Sequence, residues 1–212
     1  MHTGLIYVLD DDEAIRSSLD CFFRSAGYRV QCFSSREAFL ASDASDTAAC
    51  LVLDVDLGGA NGLDFQQELV DSDTSIPVIF VSGHGDIPMT VRAMRAGAVT
   101  FLSKPFDEND LLTAVKEAEC RNTARRTALN ASASLRARFD SLTPRERQIF
   151  TLVTSGLLNK QIASRLNLSE ITVKTHRGKL MRKMEAQSLA NLVRMAEALG
   201  IREAASRYST ST

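Results

Sequence analysis

The 212-residue chain has no long hydrophobic run. Its longest apolar stretches, such as Leu5 to Leu9 and Val78 to Val81, are only a few residues, far short of the roughly 20 a membrane-crossing helix needs. The opening residues Met1, His2, Thr3 and Gly4 carry no basic segment and lead into an apolar run ended by three aspartates. No secretory signal or membrane partner is therefore expected, and a cytoplasmic location is. Cysteine is scarce: Cys21, Cys32, Cys50 and Cys120 show no Cys-x-x-Cys spacing, which points to packing over metal binding or disulfides. Only four prolines occur, and with 44% hydrophobic and 24% charged residues the composition excludes collagen-like, low-complexity and largely disordered chains. Neither a Gly-x-Gly-x-x-Gly nor a Walker A loop follows any apolar run, so a nucleotide-binding enzyme of those types has no support.

What is present is an uneven charge. The overall net charge of −1 conceals 20 acidic against 8 basic residues in 1–120, net −12, and 6 against 17 in 121–212, net +11. Such asymmetry predicts two modules, the basic one suited to a polyanion and the acidic one to cations.

The acidic half alternates short apolar runs with amphipathic stretches. Leu5 to Leu9, Tyr28 to Phe33, Cys50 to Val55, Pro77 to Ser82 and Thr100 to Ser103 read as five strands, several nearly continuous in apolar residues as a sheet covered on both faces requires. Helical patterns lie between them, giving an α/β, (βα)5 arrangement with a doubly wound, five-stranded parallel sheet. The expected domains are 1–120, a helical linker over 121–138 with its flexible part at or just after 127–134, and 139–212.

In an open parallel sheet, ligands bind beyond the carboxyl ends of the strands. The polar residues collect there: Asp10, Asp11 and Asp12 after the first strand, Asp54 and Asp56 at the third, Ser82 at the fourth, Lys104-Pro105 after the fifth. Carboxylates converging from two strand ends repel each other and call for a cation, and hard oxygen ligands favour Mg2+. A carboxylate beside that ion suits a phosphoryl acceptor. Asp12 and Glu13 read instead as helix cap and first turn, and His84 as a loop residue.

These residues resemble the receiver domains of bacterial two-component response regulators, with their flavodoxin-like fold, over about Leu5 to Glu119. The resemblance implies that Asp54 accepts the phosphoryl group and that Asp11 ligates Mg2+ directly, with Asp10 acting through water and Asp56 contributing its backbone carbonyl. It further implies that Ser82 is the switch hydroxyl, Phe101 the aromatic that turns inward, Lys104 the cation contacting the phosphoryl group, and Lys104-Pro105 a cis peptide. Leu57-Gly58-Gly59 stands where such domains commonly carry Met-Pro. Glycine there is expected to loosen the loop and leave the Asp56 carbonyl less preorganised.

The basic half is expected to be all-α with four helices. Thr143, Pro144 and Glu146 form a capping-box start. A second helix begins at Asn159 with Ile162, Ala163 and Leu166 inward, Asn167-Leu168 turns, and Ser169 caps a third helix to Met184. This is a helix-turn-helix spanning 159–178. On the third helix Val173, Leu180 and Met184 share a buried seam, and Lys174, Thr175, Gly178, Lys179 and Arg182 lie away from it. Lys174 and Thr175 are best placed for base edges, Lys160, Lys179 and Arg182 for phosphates, while Gly178 allows close backbone approach. Arg177 is expected to pair with an acid such as Glu146, and His176 to be structural.

From about Leu142 to Gly200 this half resembles the LuxR-type DNA-binding domain, carried by Leu-Thr-Pro-Arg-Glu-Arg (142–147), Asn-Lys-Gln-Ile-Ala (159–163) and Thr-Val-Lys-Thr-His-Arg (172–177). Thr172 joins the DNA-binding set on that resemblance. A fourth helix from Ser188 to Leu199 would serve dimerisation through Leu189, Leu192, Val193 and Ala196, or core packing. In this order the two modules resemble a FixJ-type response regulator, not an enzyme. The resemblance implies phosphorylation of Asp54 by a sensor histidine kinase, homodimerisation, binding of double-stranded promoter DNA, and RNA polymerase as a partner.

Overall fold

The computed structural model describes residues 4–42, 48–72, 74, 76–83 and 85–201. The chain divides into two compact units at Arg126/Thr127. His84 lies outside the described residues.

The first unit is built on strands β1 (Leu5–Leu9), β2 (Arg29–Phe33), β3 (Cys50–Asp54), β6 (Val78–Ser82) and β7 (Thr100–Ser103). All pair in parallel, in the order β2-β1-β3-β6-β7. The period-two alternation of each strand distributes its side chains to two faces. Tyr7, Leu9, Leu51, Leu53 and Phe80 pack with Phe39 of α2 (Arg36–Leu40), Phe65 of α3 (Gly62–Asp71) and Ala93 of α4 (Ile87–Arg95). Ile6, Val8, Val52, Ile79 and Val81 pack with Leu19 and Phe23 of α1 (Glu13–Ser25) and with Leu111, Val115 and Ala118 of α5 (Glu108–Asp140). The five expected strands and the doubly wound order are therefore present.

Three expectations need correction. The stretch 127–134 is helical within α5 and breaks nothing: it contains neither proline nor glycine, and its alanines are the strongest helix formers. The Gly58-Gly59 segment is a closed hairpin and not a loosened loop. Short strands β4 (Asp56–Leu57) and β5 (Ala60–Asn61) pair antiparallel, and the two glycines between them have φ of 65° and 106°. Positive φ at both central residues is what a tight hairpin turn demands, and glycine meets it without steric cost. Packing accounts for Cys50, which is buried, but not for Cys21 and Cys120, which are exposed; all four thiols are free.

The second unit is helical. The end of α5 is followed by α6 (Pro144–Thr154), α7 (Asn159–Leu166), α8 (Glu170–Lys183) and α9 (Leu189–Ala198). Thr143 and Glu146 form the capping box, Asn167 takes the left-handed conformation that ends α7, and Ser169 caps α8. Phe139, Ile149, Phe150, Ile162, Val173, Leu180, Met184 and Leu192 form its core. Along α9, Leu192 and Ala196 are buried while Leu189 is 41% exposed, so the stripe divides between the core and the surface.

Candidate acidic cleft and nucleic-acid interface

Strands β1 and β3 are adjacent and parallel, which brings Asp10, just past the end of β1, beside Asp54 at the end of β3. Carboxylate oxygens of Asp10, Asp11 and Asp54 all lie within 4.8 Å of one another. Asp10 is 1% exposed and Asp54 7%, whereas Asp11 is exposed. Lys104 answers this concentration of charge: its Nζ donates to Asp10 Oδ2 at 2.8 Å and to Asp54 Oδ2 at 2.6 Å. Burial pushes the Asp10 carboxyl above its ordinary range, and hydrogen bonds from Lys104 and the Asp12 amide only partly offset that. Burial draws the Lys104 ammonium down, but its two carboxylate partners outweigh this and hold it above the ordinary lysine value.

The supporting contacts explain the local sequence. Asp12 caps α1, accepting from the Ala14 amide at 2.8 Å. Arg16 donates to the Asp10 carbonyl at 2.7 Å, a contact that no motif in the chain announces. Gly62 is obligatory, since a Cβ there would lie 2.2 Å from the Asp54 carbonyl oxygen. That close approach seats the start of α3 directly on the backbone of Asp54. Lys104-Pro105 is a cis peptide. Ser82 is buried at the end of β6, and its carbonyl accepts from the Lys104 amide at 2.7 Å. Phe101 is half-buried, its ring 6.2 Å from that of Phe80, and its edge lies where a side chain at Gly85 would have to go.

Asp11, Asp54, Asp56, Gly58, Ser82 and Lys104 border a cleft of about 760 Å³. Three carboxylates within 4.8 Å with a single ammonium between two of them form an all-oxygen, net negative donor set. Its chemistry fits Mg2+, a small hard cation that retains several waters, better than a soft metal.

In the second unit the exposed face of α8 carries Lys174, Thr175, Gly178, Lys179 and Arg182, with Lys160 exposed on α7. Thr172 is half-buried and its hydroxyl lies 2.8 Å from that of the cap residue Ser169, so it is engaged in the start of the helix. Thr175 donates its hydroxyl proton to the Ile171 carbonyl at 3.0 Å. The expected Arg177–Glu146 pair is replaced by two others. Arg177 donates to Asn159 at 2.9 Å, and Glu146 accepts from Lys183 at 2.7 Å. Burial would raise the Glu146 carboxyl, but Lys183 and the capping-box bonds to Thr143 outweigh it and set it below its ordinary value. His176 is half-buried, with its Nδ1 buried.

Both units resemble known proteins. Residues 6–116 match the response regulator receiver domain family, and residues 140–196 match the bacterial regulatory proteins of the luxR family. The chain is 52% identical over 198 residues to nodulation protein W of Bradyrhizobium diazoefficiens, covering 93% of this chain and 87% of that protein. It is 40% identical over 195 residues to the transcriptional regulatory protein FixJ of Rhizobium meliloti, covering 92% and 96%. Among solved structures, response regulator StyR superposes with a TM-score of 0.84 at 43% identity, covering 92% of this chain and 99% of that one. Full-length FixJ from B. japonicum gives 0.57 at 36% identity, covering 96% and 100%. Among the described residues no helix is long and apolar enough to cross a membrane. The chain belongs to the two-component response regulators of the FixJ type, a receiver domain followed by a LuxR-type DNA-binding domain.

Proposed function

We propose that this protein is a cytoplasmic transcription factor whose Asp54 takes a phosphoryl group from a histidine of a sensor kinase. Phosphorylation then favours receiver pairing and binding to promoter DNA, where RNA polymerase is the downstream partner. The observation that carries the reading is Lys104 bridging Asp10 and Asp54 beside Asp11. In the transfer, a carboxylate oxygen of Asp54 forms a bond to phosphorus as the bond from phosphorus to the donor histidine breaks. Asp11, Asp54 and the Asp56 carbonyl would hold Mg2+, with Asp10 acting through water. When bound, the cation neutralises charge on the transferred group. Lys104 already touches Asp54 Oδ2 at 2.6 Å, and is within reach of the phosphoryl oxygens that would be attached there. Ser82 supplies a hydroxyl from the neighbouring strand end, and Phe101 the ring that responds. The group is held stoichiometrically, which distinguishes the protein from a phosphatase turning over soluble esters. On the DNA side, Lys174 and Thr175 face base edges, Lys160, Lys179 and Arg182 face phosphates, Gly178 admits the backbone closely, and Thr172 fixes the start of the reading helix.

Incubation with acetyl phosphate, followed by mass spectrometry of the intact chain, tests the acceptor. One phosphoryl group on the native protein, dependent on Mg2+ and absent from Asp54→Asn, is expected; undiminished labelling of the variant would remove Asp54 from its role.

A further inference from the structure

Helix α8 carries two features that folding does not require. Gly178 sits mid-helix where a Cβ would meet nothing within 4 Å, although glycine there costs about 1 kcal/mol relative to alanine. Ile171 is 78% exposed. A single exposed apolar residue is ordinary on a protein surface, but the position of this one is not arbitrary. Ile171, Thr175, Gly178 and Arg182 follow one another at helical spacing and form a single stripe, opposite the buried Val173 and Leu180. Lys174 and Lys179 flank that stripe, and all these residues apart from the buried pair are exposed. The stripe lies in a half of the chain that carries 17 basic against 6 acidic residues, a charge complementary to a nucleic-acid backbone.

Ile171 lies in the first turn of α8, and the N-terminal residues of the second helix of a helix-turn-helix are those that meet base edges. An isoleucine has no hydrogen bond to give or accept. Among the groups that base pairs present in the major groove, only the C5-methyl of thymine is its complement. Thr175, one turn on, has its hydroxyl proton committed to the Ile171 carbonyl. It therefore adds a methyl group and an acceptor oxygen to the stripe, but no free donor while that bond holds.

We infer that Ile171 is a specificity-determining residue that reads a thymine methyl in the major groove. The inference rests on α8 being the DNA-reading helix, as proposed above, and adds a preference that the basic residues cannot supply. Lysine and arginine on this face secure phosphates or guanine edges; Ile171 selects thymine by apolar contact.

The test uses the full-length protein and duplexes selected by it from a randomised pool. Each thymine of the selected site is replaced in turn by deoxyuridine, which removes one methyl and leaves pairing intact. At one position per half-site, the replacement is expected to weaken binding by the native protein about four- to tenfold, the scale set by burying a methyl or two. Ile171→Ala is expected to lose a similar amount on the thymine duplex and to lose nothing further on the uracil duplex. Because the side chain is exposed, the variant should melt with the native protein. Its salt dependence should also be unchanged, since no phosphate contact is removed. Full thymine-over-uracil discrimination retained by Ile171→Ala, indifference of the native protein to uracil at every position, or a reduced salt slope would each overturn the assignment. Failure of the native protein to enrich any sequence would instead defeat the reading of α8 as a base-reading helix, and the assignment with it.

Discussion

Gly58 and Gly59 share a left-handed backbone but not an environment. A Cβ on Gly58 would lie 3.1 Å from Asp11 Oδ2, whereas one on Gly59 would meet nothing within 4 Å. Alanine at either position is strained by its positive φ, by roughly 1–2 kcal/mol, so the pair separates backbone strain from an effect on the acidic cleft. Gly58→Ala is expected to weaken Mg2+ binding about tenfold, the lower end of what disturbing the surroundings of a metal ligand does, and Gly59→Ala to leave it near native. Titration of Mg2+ by calorimetry on both variants checks this, and equal affinities would show that Gly58 exerts no hold on Asp11. At this scale much is legible in the amino-acid sequence. Aspartates and a lysine at strand ends have a reason to meet in a parallel sheet, so Asp10, Asp54, Ser82 and Lys104 group together on pattern alone. The approach of Gly58 to Asp11 does not, because it depends on the hairpin turn and not on residue type.

The elements show the same division between what a pattern determines and what packing decides. Strands β1, β2, β3, β6 and β7 follow from apolar runs, and the starts of α6 and α8 from capping residues, because these are local signals. The β4–β5 hairpin has no such signal, since two strands of two residues leave no periodicity to detect, although consecutive glycines are a usable sign of a tight turn. Leu111, Val115, Ala118 and Asn122 share one face of α5; in the fold all four are buried, and Asn122 donates to the Ala48 carbonyl. A helix face cannot announce whether its partner is another helix or the sheet of its own domain.

Helical spacing likewise offers Glu146 the wrong cation, because Arg177 and Lys183 both lie on α8 and only the packing of α6 against it selects Lys183. This contact has a pH signature. A carboxyl held below its ordinary value of 4.5 stabilises the fold above that pH, and the contribution disappears as pH falls through its lowered value. Glu146→Gln is therefore expected to destabilise the helical unit by about 1–3 kcal/mol at pH 7, the range for a buried hydrogen-bonding group left without its partner. That deficit should shrink steadily below pH 4.5. Urea unfolding of both proteins from pH 7 to 3 measures it, and a deficit independent of pH would assign the loss to packing instead of charge.

Across the whole molecule, net charges of −12 and +11 on the two halves set a constraint on any switch. The phosphorylation proposed above would make the acidic half more negative, so charge alone would not free the basic half for DNA. On the function proposed above, a signal from Asp54 would act through altered packing in the receiver. Ser82 and Phe101 belong to adjacent strands β6 and β7, and the edge of the half-buried Phe101 ring abuts Gly85, where a Cβ would lie 2.6 Å from ring atom Cε1. The proposed function ties DNA affinity to one carboxylate. Its most direct test is the affinity of the full-length protein for a selected duplex at fixed salt, with and without acetyl phosphate and Mg2+, for the native chain and for Asp54→Asn. Affinity and dimer fraction should rise together in the native protein only when both reagents are present, and neither should change in the variant. An equal rise in Asp54→Asn, or no rise in a native protein shown to be phosphorylated, would contradict it.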